Sequence, residues 1–414
     1  MRSIFMNLWQ CPHPALFLKD ICDSLESRQD HCIVSMPERL IPSFLDELIP
    51  VWSVTHNSPK QVRLENNSSL IDILSPLFLL DSAPPALDDL KGLLLKGAEM
   101  LVVVLPEVPL PIEKEFFDIL LKDLMAYAKN CRDNDLRLDW TMLVIAPAGR
   151  KIPDQDIGLK CFRWWGYLHN SDVEYAVEDT LRASLGTGTK KERLAYWWIY
   201  PLCKGIAMSD PELVEMICQS VPQDMNELMH ALADHELNTE ENGKLVRAFL
   251  DTAPRYTLSR NIPPQGLAAE LWHKGILDIN CQGNVALHPA ALLAAACQDE
   301  LEKLVIHGQM QFFLPLVQEV HTLLYHKVEE LVGGDLKAWI AENKDLESAQ
   351  SEIGPFYAFL SYLNKEKGKR VPPKLISAAK KWRDFRNNIA HINMLSRQVI
   401  DDAFNSYEDI LAMS

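Results

Sequence analysis

Short apolar runs that alternate with helix-like stretches over the first 200 residues constrain this chain more than any other feature. "HCIVSM" (31–36), "EMLVVVLPEV" (99–108) and "TMLVIAP" (141–147) are apolar at consecutive positions. A strand with one face in water alternates apolar and polar residues; a continuous run fits a strand covered on both faces. "SLIDIL" (69–74) is a weaker signal of the same kind. "RLIPSFLDELIP" (39–50) and "EKEFFDILLKDLMAYAKNCRD" (113–133) carry helical periodicity, and "LKCFRWWGYLHNSDVEYAVEDTLRASL" (159–185) begins as a strand and becomes a helix. The alternation predicts a mostly parallel α/β domain over 1–200, with helices on both faces of its sheet.

Such sheets often hold a nucleotide at the turn after a strand. The turn after the first strand reads "MPERLIPS" (36–43), without the glycines and lysine that cradle phosphates. After "LVVVL" stands "PEVP", with no acidic pair to hold magnesium. "GTGTKKE" (186–192) follows a helix rather than a strand and reads as a linker. The strand pattern resembles an AAA-type or STAND-type ATPase core without its Walker motifs. That resemblance implies a domain with no intrinsic ATP or GTP hydrolysis, and no cofactor is expected.

Residues 201–298 read as a helical adaptor. "DPELVEMICQSV", "MNELMHALADH" and "NGKLVRAFLDTA" are helical. A further helix then stops at Gly275, and two short strands, "ILDIN" and "VALHP", flank a turn at Cys281–Asn284 that contains Gly283. Helix followed by hairpin resembles a winged helix. Its helix offers only Lys274 and His273 to a base edge, which favours an internal adaptor over a DNA reader. From 299 to 414 every signal is helical. A long helix over 300–332 contains Pro315 and stops at Gly333–Gly334, and the shorter helices after it complete a bundle of about four or five.

One stretch of that bundle carries chemistry: "KKWRDFRNNIAHINMLS" (380–396). On an ideal helix Trp382, Phe385, Ile389 and Ile392 share one stripe. Asn387 and His391 fall on the opposite side as an i, i+4 pair, and Arg386 lies about 140° from His391. "RNNIAH" resembles the R-N-x-x-x-H signature of HEPN domains, matched at Arg386, Asn387 and His391. The resemblance covers the last quarter of the chain and implies a metal-independent endoribonuclease that acts as a dimer. A histidine can move the proton of a ribose 2′-OH or of the leaving 5′-oxygen. A permanently charged arginine can hold the phosphate, and Asn387 can orient the imidazole. No metal ligand set is expected, and none of the nine cysteines forms a CxxC pair.

The surrounding charge fits an RNA partner. The formal net charge is −16, so the whole molecule is no polyanion binder. Residues 364–386 nevertheless hold nine Lys or Arg against two acids. Lys369, Arg370, Lys380, Lys381 and Arg383 are the candidate RNA contacts; a solvated helix face is the plain alternative. His321 and Tyr325, an i, i+4 pair on the long helix, could line the same cleft, with surface decoration the plainer reading. Scattered cysteines, no leader-like start and no membrane-length apolar run fit a cytoplasmic protein. The HEPN resemblance implies a regulated RNase effector of a prokaryotic antiphage-defence or toxin–antitoxin system, a homodimer through its bundle, with partner proteins of that system. Two alternatives stay open: a non-catalytic dimerisation or docking subunit, and a CRISPR-associated RNase activated by a cyclic oligonucleotide.

Overall fold

The computed structural model describes residues 7–412 apart from 55, 64–99, 106–121, 139, 149–151, 153–156, 186–189, 221–224, 253–257, 263, 281–282, 333–335, 343–347, 366–367, 369–370 and 392–393. In chain order its elements are α1 (Pro12–Ser27), β1 (His31–Met36), α2 (Ile41–Ser53), β2 (Lys60–Arg63), β3 (Met100–Val104), α3 (Lys122–Asp133), β4 (Thr141–Pro147), β5 (Leu159–Arg163), α4 (Asn170–Leu185), α5 (Lys190–Ile206), α6 (Glu212–Ser220), α7 (Met225–Ala233), α8 (Glu240–Thr252), α9 (Leu267–His273), β6 (Leu277–Ile279), β7 (Val285–Leu287), α10 (Pro289–Ala294), α11 (Gln298–Val332), α12 (Leu336–Ala341), α13 (Ile353–Lys365), α14 (Pro373–Ala390) and α15 (Arg397–Leu411). The chain forms two compact units. One holds Asn7–Asp172 and Thr239–Ala291, the other Val173–Asn238 and Leu292–Ser414. An N-terminal parallel α/β sheet is thus followed by a largely helical C-terminal region.

The sheet runs β2-β3-β4-β1-β5, and every pairing in it is parallel. Its inner strands are buried throughout because each face meets a different core. Cys32, Val34 and Met36 of β1 join Val102, Leu143 and Ile145 against Phe17, Ile21 and Leu25 of α1 and Phe44, Leu48 and Trp52 of α2. Ile33, one position out of phase, joins Leu101, Val103, Met142 and Val144 on the other face, where Met125 of α3 packs. Period-2 geometry divides consecutive apolar residues between the two cores. The expected strand at 69–74 and the first part of the expected helix at 113–133 lie outside the described residues, as does 186–189 of the expected linker. Residues 190–192 of that linker begin α5.

The hairpin belongs to the same unit as the sheet. α9 ends at His273 and Gly275 takes φ +70°, a left-handed residue after the helix that glycine adopts at no steric cost. β6 and β7 pair antiparallel, with Gly283 at φ +82° in their turn.

In the other unit α11 is the axis. It packs on α5, α13, α14 and α15, while α13 and α15 also flank α14. α5 and α11 cross at two glycines. A Cβ on Gly308 would lie 2.1 Å from the Pro201 carbonyl oxygen, and one on Gly205 would lie 2.2 Å from that of Leu304. Around this crossing Trp197 of α5 is ringed edge-on by Phe313, Trp382 and Phe404. Pro315 sits inside α11, which continues as one helix to Val332.

Candidate functional site

The motif helix α14 starts where its sequence allows. Pro372 is its N-cap and Pro373 its first residue, where a missing N–H costs nothing. Trp382, Phe385 and Ile389 are buried, the stripe that helical periodicity predicts; Ile392 lies outside the described residues. The helix stops at Ala390, and the N–H of His391 closes it by donating to the Asn387 carbonyl at 3.0 Å. His391 is therefore a capping residue, exposed, and its ring makes no hydrogen bond among the described residues. Asn387 is half-buried one turn earlier.

The segment after His391 is fixed from below. Gln309 of α11, 2% exposed, accepts from Leu395 N–H at 2.9 Å and donates to Leu395 O at 3.4 Å. Ser396 then caps α15 through its hydroxyl. A buried amide that satisfies both backbone groups of one residue pins the chain four residues beyond the motif's end.

Arg386 is partly exposed and directed to Glu352, just before α13, with 4.0 Å between guanidinium and carboxylate. Both partners are half in water, so the pair is weak and easily opened. Arg383 lies over the ring of Tyr357, 4.5 Å from its centre, and bonds Asp384. Lys380 and Lys381 are exposed; Lys369 and Arg370 lie outside the described residues. α14 thus presents Lys380, Lys381 and Arg383 in the two turns before Arg386.

His321 and Tyr325 require correction. They are not surface decoration: they are 2% and 8% exposed. His321 Nε2 bonds the Ala349 carbonyl at 3.0 Å, and both rings pack on Phe356 of α13. Burial holds the His321 ring below its usual range. The reason is local: α11 meets neighbours on several sides, so i, i+4 spacing alone does not say which face is wet.

The turn after β1 takes a form unlike a phosphate cradle. Pro37 precedes a short 3-10 turn over Glu38–Leu40. Glu38 faces His273 at 3.6 Å, and Gly275 leaves room for the Arg39 guanidinium, whose Nε would lie 2.4 Å from a Cβ there. No protein-family profile matches the chain, and no curated protein does.

Proposed function

We propose that this protein is a metal-independent endoribonuclease of the HEPN type, a cytoplasmic effector of a prokaryotic antiphage-defence or toxin system, regulated by its α/β unit. One observation carries the reading: His391 ends α14 with an exposed ring that makes no hydrogen bond among the described residues, beside Asn387 and a cationic rim. In the reaction the ribose 2′-oxygen bonds to phosphorus and the P–O5′ bond breaks. The His391 imidazole takes the 2′ proton, and the imidazolium so formed gives that proton to the leaving 5′-oxygen. Arg386 holds the phosphate as negative charge builds. The products are a 2′,3′-cyclic phosphate and a 5′-hydroxyl, and DNA, lacking the 2′-OH, does not react.

The strand order β5-β1-β4-β3-β2 supports reading the sheet as an ATPase-like core, and the α9–hairpin pair, within the same unit, supports reading that part of 201–298 as a winged-helix-like adaptor. Glu38 and Arg39 stand where a phosphate loop would be, which supports a core that does not hydrolyse nucleotide. The test is an RNase assay on the full-length chain in EDTA, with end-group analysis. Cyclic phosphate ends from wild type, and loss of cleavage in His391→Ala, are expected. Wild-type cutting by His391→Ala, or loss on chelation, replaces this reading with the docking subunit.

A further inference from the structure

We propose that His13, His169 and Arg260, held by the buried carboxylate of Asp172, form a binding site for a phosphate group on the α/β unit. Three distant segments build it: the first turn of α1, the loop after β5, and the turn before α9. Asp172 is fully buried. It accepts from the backbone N–H of His13 at 3.0 Å, from that of His169 at 2.8 Å, and from His13 Nδ1 at 3.1 Å. An ionised carboxylate only accepts, so Nδ1 of His13 carries the hydrogen and Nε2 is left for another partner. The two imidazoles stack, 3.5 Å between ring centres and 20° between planes.

Arg260 completes the set. Its guanidinium lies 2.9 Å from His169 Nε2. A guanidinium only donates, so that nitrogen accepts and the His169 ring is neutral in this state. Burial, then His13 and Arg260, hold the His169 ring below its usual range. Arg260 itself is exposed, and among the described residues no carboxylate stands within ion-pair distance of it. Yet it is positioned. Its stem crosses Gly166, where φ is +69° and a Cβ would meet Arg260 Cγ at 2.8 Å. Trp165 Nε1 donates to the carbonyl of Ser259, the residue before it, at 2.9 Å.

Asp172 bonds His13 and the backbone of His169, but among the described residues no carboxylate lies within ion-pair distance of the Arg260 guanidinium, which faces the stacked imidazoles. A dianion supplies that partner. The guanidinium has donors to spare beyond the one on His169, and each protonated Nε2 adds another. Other ionisable groups nearby are Tyr167, Asp20, Asp278 and Arg39. Asp278 is buried, accepts from Gly166 and Ile279 N–H, and is no competitor for an incoming ligand. The site follows the carboxyl end of β5, the side of a parallel sheet on which ligands collect.

The test is calorimetric titration of the full-length protein near pH 6.5, with inorganic phosphate in one arm and a nucleoside monophosphate in the other. Saturable binding is expected, weakened about tenfold or more in Arg260→Gln and in His13→Gln. Tighter binding of the nucleotide assigns the phosphate to a nucleotide; equal affinity assigns it to the free ion. As a second readout, phosphate should move the ring titration of His169 upward in wild type and not in Arg260→Gln. No saturable binding in either arm, or binding unchanged in Arg260→Gln, overturns the proposal. Neither arm contains RNA, so the outcome is independent of the ribonuclease reading.

Discussion

His391 and His321 belong to one helical unit, and what separates them is how each ring is used. His321 is spent on the Ala349 carbonyl and on Phe356. His391 is exposed, and its backbone N–H closes α14 while its ring makes no hydrogen bond among the described residues. His391→Ala should therefore cut the RNA cleavage rate by about 10²–10⁴ and change unfolding free energy by no more than about 0.5 kcal/mol. His321→Ala should do the reverse and cost about 2–3 kcal/mol through a lost bond and a cavity; denaturant melts beside RNase assays separate the two. His31 gives the α/β unit a pH dependence. It is 1% exposed, and its Nδ1 accepts from Met142 N–H at 3.0 Å, which fixes the neutral ring. Burial pushes its pKa down to about 4, from 6.5 in an open chain. The unfolded chain thus takes up the proton first as pH falls. The contribution of His31 is whole above about pH 6.5 and declines towards pH 4, by about 3 kcal/mol in total. Urea midpoints at pH 7 and pH 5 should differ more in wild type than in His31→Gln; an equal difference in both counts against this account.

The α5–α11 crossing shows what a single methyl does between elements. A Cβ on Gly308 meets the Pro201 carbonyl at 2.1 Å and Gly205 Cα at 2.8 Å, all backbone that cannot rotate away. Gly308→Ala should destabilise the helical unit by about 1–3 kcal/mol or more, whereas Gly354→Ala, where nothing lies within 4 Å, should not; thermal melts of both variants check this. Neither glycine of the crossing announced it in the sequence, because periodicity names a helix and not its partner. The same limit explains α5, whose partner α11 begins some ninety residues later in the chain. β1 and β4 were legible to the residue because both of their faces are covered. β2, "KQVR", was not: it is an edge strand with one apolar residue. α1 was hidden by Pro12 and Pro14, which look like breakers but sit in its first turn, where proline costs little. The motif on α14 was legible from residue types and spacing. The His13–His169–Arg260 cluster was not, since tertiary structure alone joins its three segments.

At the scale of the whole molecule, two expectations concern what the chain does with nucleotide and with a second copy of itself. The turn after β1 carries Glu38 facing His273, and Arg39 fills the space beside Gly275. Phosphate release from ATP or GTP should therefore not exceed a buffer control, and release that survives repurification would count against an inert core. Assembly follows from the motif helix. Arg386 faces its own Glu352, while His391 closes the far end of α14, about 140° away around the axis. One chain does not easily bring both onto one phosphate. Two chains related by a two-fold axis can, with Arg386 of one serving beside His391 of the other, each patch meeting its own copy. A dimer through the helical unit is expected in light scattering at micromolar concentration. The sharper check mixes two inactive proteins, Arg386→Ala and His391→Ala, in equal amounts. If subunits exchange at random, half of the dimers are mixed, and each mixed dimer carries one site with both residues intact. Activity should return to about a quarter of wild type. If both residues of a site came from one chain, every site in every mixture would lack one of them and no activity would return. A monomer that cuts RNA would dispose of the shared site outright.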